Sequence, residues 1–161
     1  MPTLVAQEFE AFYAAHYSAL ATYCWRLVND RELAHDLAQE SFARMIARWR
    51  RIDDPRSYVY RVATNLARRA WRERDDRRLA DEAAAAVLVH VLPEPDAVVI
   101  GLHAAVGSLP GRLREVVLLH YFADMSVTDV AATVGRPAGT VKRQLSEARA
   151  ALAESLGGRH D

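Results

Sequence analysis

Apolar residues recur at three- and four-residue steps along most of this 161-residue chain, and strand-like alternation is absent throughout. From residue 8 to 28, Phe9, Phe12, Tyr13, His16, Tyr17, Leu20, Tyr23, Cys24 and Leu27 make one broad stripe that Asn29 and Asp30 end, which predicts a first helix. A second helix is expected from Arg31 to Arg51, with Ala34, Leu37, Ala38, Phe42, Met45, Ile46 and Trp49 inward. Asp53, Asp54 and Pro55 punctuate the chain, and a third helix should follow with Val59, Val62, Ala63, Leu66 and Ala70 inward. The pattern then lapses. An acidic, alanine-rich stretch, the apolar run Val87 to Leu92 and Pro93-Glu94-Pro95 read as a connector, part of which should pack on one of its neighbours. The predicted fold is all-α: two small helical domains, residues 1–78 and 97–161, joined by a linker at 79–96.

The richest pattern lies in the second domain. Ser126 and Asp129 form a helix-starting pair, and Val127, Val130, Ala131 and Val134 make one apolar face. Gly135 breaks that short helix, and Pro137 suits the first turn of another, whose inward stripe is Val141, Leu145, Ala148 and Leu152. Lys142, Arg143, Gln144, Ser146 and Glu147 are then carried outward. Two helices joined by a tight glycine turn, the second with a polar outer face, are either a helix-turn-helix that presents side chains to a major groove or two ordinary helices of a bundle.

Composition narrows the classes. A content of 51% hydrophobic and 26% charged residues is that of a globular protein. No run approaches the roughly 20 apolar residues of a membrane span, and MPTLVAQEFE lacks the basic start of a signal peptide, so a cytoplasmic location is expected. Cys24 is the single cysteine and the histidines show no ligand spacing, so neither a disulfide nor a metal site is expected. No glycine-rich phosphate loop, nucleophile elbow or His/carboxylate cluster supports an enzyme, and no cofactor is implied. Formal net charge is zero, but it is segregated: residues 44–78 are strongly basic, whereas 1–43 and 79–108 are acidic. Such blocks suit one face for phosphate and another for a basic partner.

Two surfaces of the first domain follow from helical geometry. On the second helix, Asp36, Gln39, Glu40, Ala43 and Ala47 fall together opposite the apolar stripe. Acid and amide groups at one end and bare alanines at the other make either a flat seat for another helix or a surface that happens to carry alanine. On the third helix, Arg61, Asn65, Arg68 and Arg72 share a narrow sector, with Tyr58 and Arg69 at its margin. Arginine contacts phosphate and asparagine can pair with a base edge, so this stripe suits nucleic acid; the alternative is a solvated arginine-rich face.

The series Asp36-Leu37-Ala38-Gln39-Glu40-Ser41-Phe42, Asp54 through Ala67 (DPRSYVYRVATNLA), Leu109-Pro110 and Gly139-Thr140-Val141-Lys142 resembles the bacterial extracytoplasmic-function sigma factors over nearly the whole chain. The resemblance implies a two-domain initiation factor that binds core RNA polymerase and directs it to a class of promoters. It implies that Asp36, Gln39, Glu40 and Ala43 dock on the clamp coiled coil of the largest polymerase subunit, with the flap as a second contact. Tyr58, Arg61, Asn65, Arg68, Arg69 and Arg72 would meet the minus-ten element, where Asn65 captures a flipped base with help from the loop Arg50 to Asp54. Thr140, Lys142, Arg143, Gln144, Ser146 and Glu147 would face the minus-thirty-five element. An anti-sigma protein is a further possible partner. Three residues depart from the family pattern: Ala38 stands where a larger aliphatic is usual, Arg136 is a poor helix cap, and Glu147 occupies a position where a base is common. A self-sufficient helix-turn-helix regulator is the alternative, which leaves the Asp36 face and the arginine stripe without a role.

Overall fold

The computed structural model describes residues 3–78 and 97–157, whose regular structure is entirely helical. The linker expected at 79–96, with its apolar run, lies outside the described residues.

Helix α1 spans Leu4–Val28, starting earlier than the apolar stripe because the Thr3 hydroxyl accepts from the Ala6 N–H at 3.3 Å. It ends at Asn29, left-handed at φ 54°, whose N–H returns to the Trp25 carbonyl. Asparagine tolerates that conformation better than most residues. Asp30 follows at once as the cap of α2, Arg31–Ile46, accepting from the Leu33 N–H at 3.0 Å. The second helix thus stops short of Arg51: Trp49–Arg51 form a 3-10 turn. The Trp49 ring is held against Phe9 and Phe12, with centroids 5.4 and 5.5 Å apart, while the chain must also deliver Asp54 to the start of the next helix. Tighter winding satisfies both demands. Ile46, expected inward, is 55% exposed. It lies about 100° around α2 from the fully buried Met45, beyond the edge of the inward stripe.

Helix α3, Pro55–Arg78, begins with proline at its first position and is capped by Asp54, which accepts from the Ser57 N–H (3.3 Å) and hydroxyl (2.7 Å). These bonds hold the Asp54 carboxyl below its ordinary pKa, the Ser57 hydroxyl contributing most. The three helices enclose Leu20, Cys24, Leu27, Phe42, Met45, Val59 and Ala63, all essentially buried. Each large aliphatic or aromatic side chain so buried contributes roughly 1.5–3 kcal/mol before ordering costs.

The second half comprises α4 (Ala97–Gly107), α5 (Gly111–Val117), a π-helical turn (Leu118–Phe122), α6 (Val127–Val134) and α7 (Ala138–Gly157). Leu113, Val116, Val117, Leu119, Val130, Val141 and Leu145 fill its interior. The halves touch, α1 against α4 and α5 and α3 against α6, and their buried residues join in one continuous cluster.

Candidate nucleic-acid interface

The α2 surface forms as expected. Asp36, Gln39, Glu40, Ala43 and Ala47 are all exposed, and Ile46 extends the alanine end of the face with a large apolar side chain. Periodicity alone misassigned Ile46; its signal was the neighbouring alanines. Glu40 accepts from Arg44 at 2.9 Å, an exposed i,i+4 pair of little energetic weight, and Gln39 donates to the Tyr13 hydroxyl at 3.1 Å. Behind Asp36 lies a cleft lined also by Asp30, Glu32 and Glu73. Among the described residues the one cation in its lining, Arg74, is engaged by Asp30, so the negative character of the face continues into the cleft.

The α3 stripe is only partly free. Arg61, Asn65, Arg69 and Arg72 are exposed, with the Arg61 guanidinium 5.7 Å from the Tyr58 ring centroid and Arg69 3.7 Å from Glu73. Arg68 departs from the expected outward projection. It is half-buried and crosses to the second half, its Nε 2.7 Å and its Nη2 3.0 Å from the two carboxylate oxygens of Glu115. That contact raises the Arg68 pKa further, the Glu115 hydrogen bond being the main cause. Arg68 also reaches Asn65 Oδ1 at 3.4 Å. On the opposite side, α3 is fixed by a buried bond between the Tyr23 and Thr64 hydroxyls at 2.7 Å, while Thr64 donates to the Tyr60 carbonyl. Burial pushes the Tyr23 hydroxyl well above its ordinary pKa, so it stays a neutral hydrogen-bonding group. The neighbouring Asn65 is thereby presented from a rigid helix.

The helix-turn-helix is present in full. Ser126 accepts from the Asp129 N–H at 3.1 Å, Gly135 closes α6 in the left-handed region at φ 71°, and α7 starts at Ala138, one residue after Pro137. Val141, Leu145 and Ala148 are buried, which leaves Lys142, Arg143, Ser146 and Glu147 in one exposed sector. Two residues depart from the outward set: Thr140 is half-buried, and Gln144 is turned to the flank, where its Oε1 accepts from Arg136 Nη1 at 2.9 Å. Glu147 lies 3.5 Å from Arg112. Arg136 is a poor cap because it has other work: it also donates to the Arg112 carbonyl and to Glu115.

Glu115 escaped notice as a sequence feature. It is 1% exposed and shared by Arg68 and Arg136, and its only signal was an acid set inside the apolar run Leu113 to Leu119.

A helical domain with an acid and alanine face, a basic stripe with one amide, and a following helix-turn-helix defines a DNA-binding transcription factor with an additional protein-docking surface. Residues 12–77 match the sigma-70 region 2 family and residues 101–152 match sigma-70 region 4. The RNA polymerase sigma-E factor of Streptomyces coelicolor is 34% identical over 152 residues, 92% of this chain and 86% of that protein. The ECF RNA polymerase sigma factor SigW of Bacillus subtilis is 30% identical, over 83% of this chain and 80% of its own length. Among solved structures, the sigma factor RpoE of Bartonella quintana, crystallised with the anti-sigma factor NepR, shares the fold with a TM-score of 0.81 at 21% identity, covering 94% of this chain and 98% of that one. The chain belongs to the sigma-70 family of RNA polymerase sigma factors, in its extracytoplasmic-function branch. As an alternative sigma factor it directs promoter recognition and transcription initiation by RNA polymerase, and the stand-alone regulator reading is not favoured. Among the described residues no helix is long and apolar enough to cross a membrane, and no group of potential ligands could hold a metal ion.

Proposed function

We propose that promoter recognition is divided among three surfaces of this chain. Asp36, Gln39, Glu40 and Ala43, extended by Ile46, form the seat for the clamp coiled coil of the polymerase, with the flap as a second contact on the C-terminal half. Tyr58, Arg61, Asn65, Arg68, Arg69 and Arg72 meet the minus-ten element. Thr140, Lys142, Arg143, Gln144, Ser146 and Glu147 meet the minus-thirty-five element; among them Arg143 reads a base edge, and Gln144 acts through its tie to Arg136. The division into residues 1–78, 79–96 and 97–161 belongs to this reading, as do a cytoplasmic location and a role exerted by binding, with no chemical step of the chain's own. The anti-sigma protein bound to the solved neighbour makes a protein of that class a reasonable partner here.

The observation that carries the reading is the exposure of Asn65 within the stripe of Arg61, Arg69 and Arg72, on a helix whose far side is locked by Tyr23 and Thr64. A base must leave the stack to be read in a single strand, at a cost of a few kcal/mol, and a rigidly held amide can offset that cost. Run-off transcription with core polymerase is the test. Asn65→Ala should impair open-complex formation on duplex promoters more than on a pre-melted bubble, read by permanganate footprinting. Equal losses on both templates would reduce Asn65 to a phosphate contact, and no loss would make it structural.

A further inference from the structure

Glu147 stands in the exposed sector of α7 with Lys142, Arg143 and Ser146, and it is the one acid of the four. A carboxylate carried toward DNA is repelled by the phosphates and can only accept hydrogen bonds, so it stabilises a complex only where a base offers it a donor. In the major groove guanine presents acceptors alone, and thymine an acceptor and a methyl group. Adenine offers its N6 amino group beside the acceptor N7, which repels the second carboxylate oxygen. Cytosine offers its N4 amino group with no acceptor beside it, and it is the base that fits. The side chain that meets Glu147 is Arg112 on the first turn of α5, with Nη2 3.5 Å from Glu147 Oε2. Both side chains are exposed, so the pair contributes little to stability. Its backbone support is firmer. The Arg112 carbonyl accepts from Arg136 Nη1 at 3.0 Å, and Arg136 is itself held by the buried Glu115 and by Gln144, three residues before Glu147 on α7. One guanidinium thus ties the start of α5 to the recognition helix and fixes where Arg112 and Glu147 begin.

We propose that Glu147 reads a cytosine of the minus-thirty-five element through its N4 amino group, and that Arg112 is its positioning residue, drawing the carboxylate to one side of α7 and offsetting its repulsion from the phosphates. The proposal rests on the assignment of α7 to that element. A base-reading side chain is most selective when a second layer of contacts holds it, and the series Glu115, Arg136, Arg112 supplies that layer. Arg143 lies four residues earlier on the same face, a rise of about 6 Å along the helix. Base pairs are spaced by about 3.4 Å, so the cytosine falls within about two base pairs of the base that Arg143 reads.

The test is transcription by core polymerase loaded with the full chain, on a promoter pool randomised over both elements, with the templates of the transcripts sequenced. With the parent chain, cytosine should be favoured about tenfold at one upstream position. Glu147→Gln should move that preference to adenine, because an amide pairs with N6 and N7 together, and Glu147→Ala should leave the position indifferent. Arg112→Ala should shrink the cytosine preference about threefold, the scale of an exposed ion pair, and Arg112→Lys should restore most of it. A merely structural role would not move the base preference. No cytosine preference in the parent, or one that survives in both Glu147 variants, overturns the base reading. A uniform loss over all templates in Arg112→Ala assigns that residue to a phosphate and overturns its positioning role. Arg143→Ala separates this inference from the assignment beneath it: an unshifted upstream profile there removes α7 from the element, whereas a shift in Arg143→Ala beside none in Glu147→Gln refutes the reading by Glu147 alone.

Discussion

Gly135→Ala isolates the conformational demand of the helix-turn-helix from its packing. Gly135 sits at φ 71°, ψ 38°, with its N–H bonded to the Ala131 carbonyl at 2.9 Å. A Cβ placed there meets no atom within 4 Å, so alanine introduces no clash. What remains is the backbone. A left-handed conformation costs a residue with a side chain roughly 1–2 kcal/mol. The smaller unfolded-state entropy of alanine offsets part of this, by about 0.4–1 kcal/mol in favourable settings, so a net loss near 1 kcal/mol is expected. For a chain of this size that lowers Tm by about 2–4 °C. Equilibrium urea unfolding should show a lower midpoint at constant slope, since the exposed surface of the unfolded chain is unaltered. Gly135→Asn should lose less than half as much, because asparagine visits the left-handed region more readily. The turn also sets the angle of α7 against α6, so Gly135→Ala should weaken upstream promoter contacts while leaving polymerase binding intact. Alanine as stable as glycine, or asparagine as damaging as alanine, would refute the conformational account and point to side-chain volume instead.

Three further outcomes are expected. Glu40→Lys forfeits only an exposed pair with Arg44, so the circular dichroism spectrum should be unchanged, while pull-down with core polymerase should show clearly weaker binding through charge reversal at a complementary surface; undiminished binding would remove α2 from the docking face. Arg143→Ala, at an exposed position of α7, should cost roughly 1–3 kcal/mol at one or two upstream promoter positions in a transcribed library, and a uniformly weaker but unshifted profile would demote it to a phosphate contact. His103 stacks on Trp25 with ring centroids 4.1 Å apart, donates from Nε2 to Asn29 Oδ1 at 2.8 Å, and has a buried Nδ1 without a partner among the described residues. Burial first, and then Arg26 and Arg114, hold its pKa below the ordinary value; the stability it contributes is therefore present above about pH 6.5 and is lost as pH falls through the lowered value. The urea midpoint should accordingly drop less for His103→Gln than for the parent chain between about pH 8 and about pH 5.5, and equal drops would exclude His103 as the cause.

Much of the architecture was legible because its causes are local. The stripe Leu20, Tyr23, Cys24, Leu27 and the stripe Val141, Leu145, Ala148 are periodic, and both proved buried. Ser126 and Gly135 mark the ends of α6 through bonds to residues three or four positions away, which sequence order alone places within reach. Where the structure departs from the periodicity, a longer range was at work. The end of α2 was set by Trp49 packing on α1, and Ile46 was left outside by the width of the contact with α1 and α3.

The exposed faces were likewise visible in outline, since 3.6-residue geometry decides which positions share a side: Asp36, Gln39, Glu40 and Ala43 on α2, Arg61, Asn65 and Arg72 on α3, and Lys142, Arg143, Ser146 and Glu147 on α7 all emerge where the periodicity puts them. Periodicity says nothing of what a face meets across a domain boundary. Arg68 occupies the same sector as Arg61 and Asn65, yet it is the one that finds Glu115, 47 residues away, and Gln144 turns to the flank, where it accepts from Arg136, itself held by that same carboxylate. Local sequence thus determined the helices and the faces they offer, through rotation per residue and end capping. The tertiary structure alone decided which arginines stay exposed and which are paired, because a buried acid must be neutralised by whichever cations the packing of the two halves brings within reach.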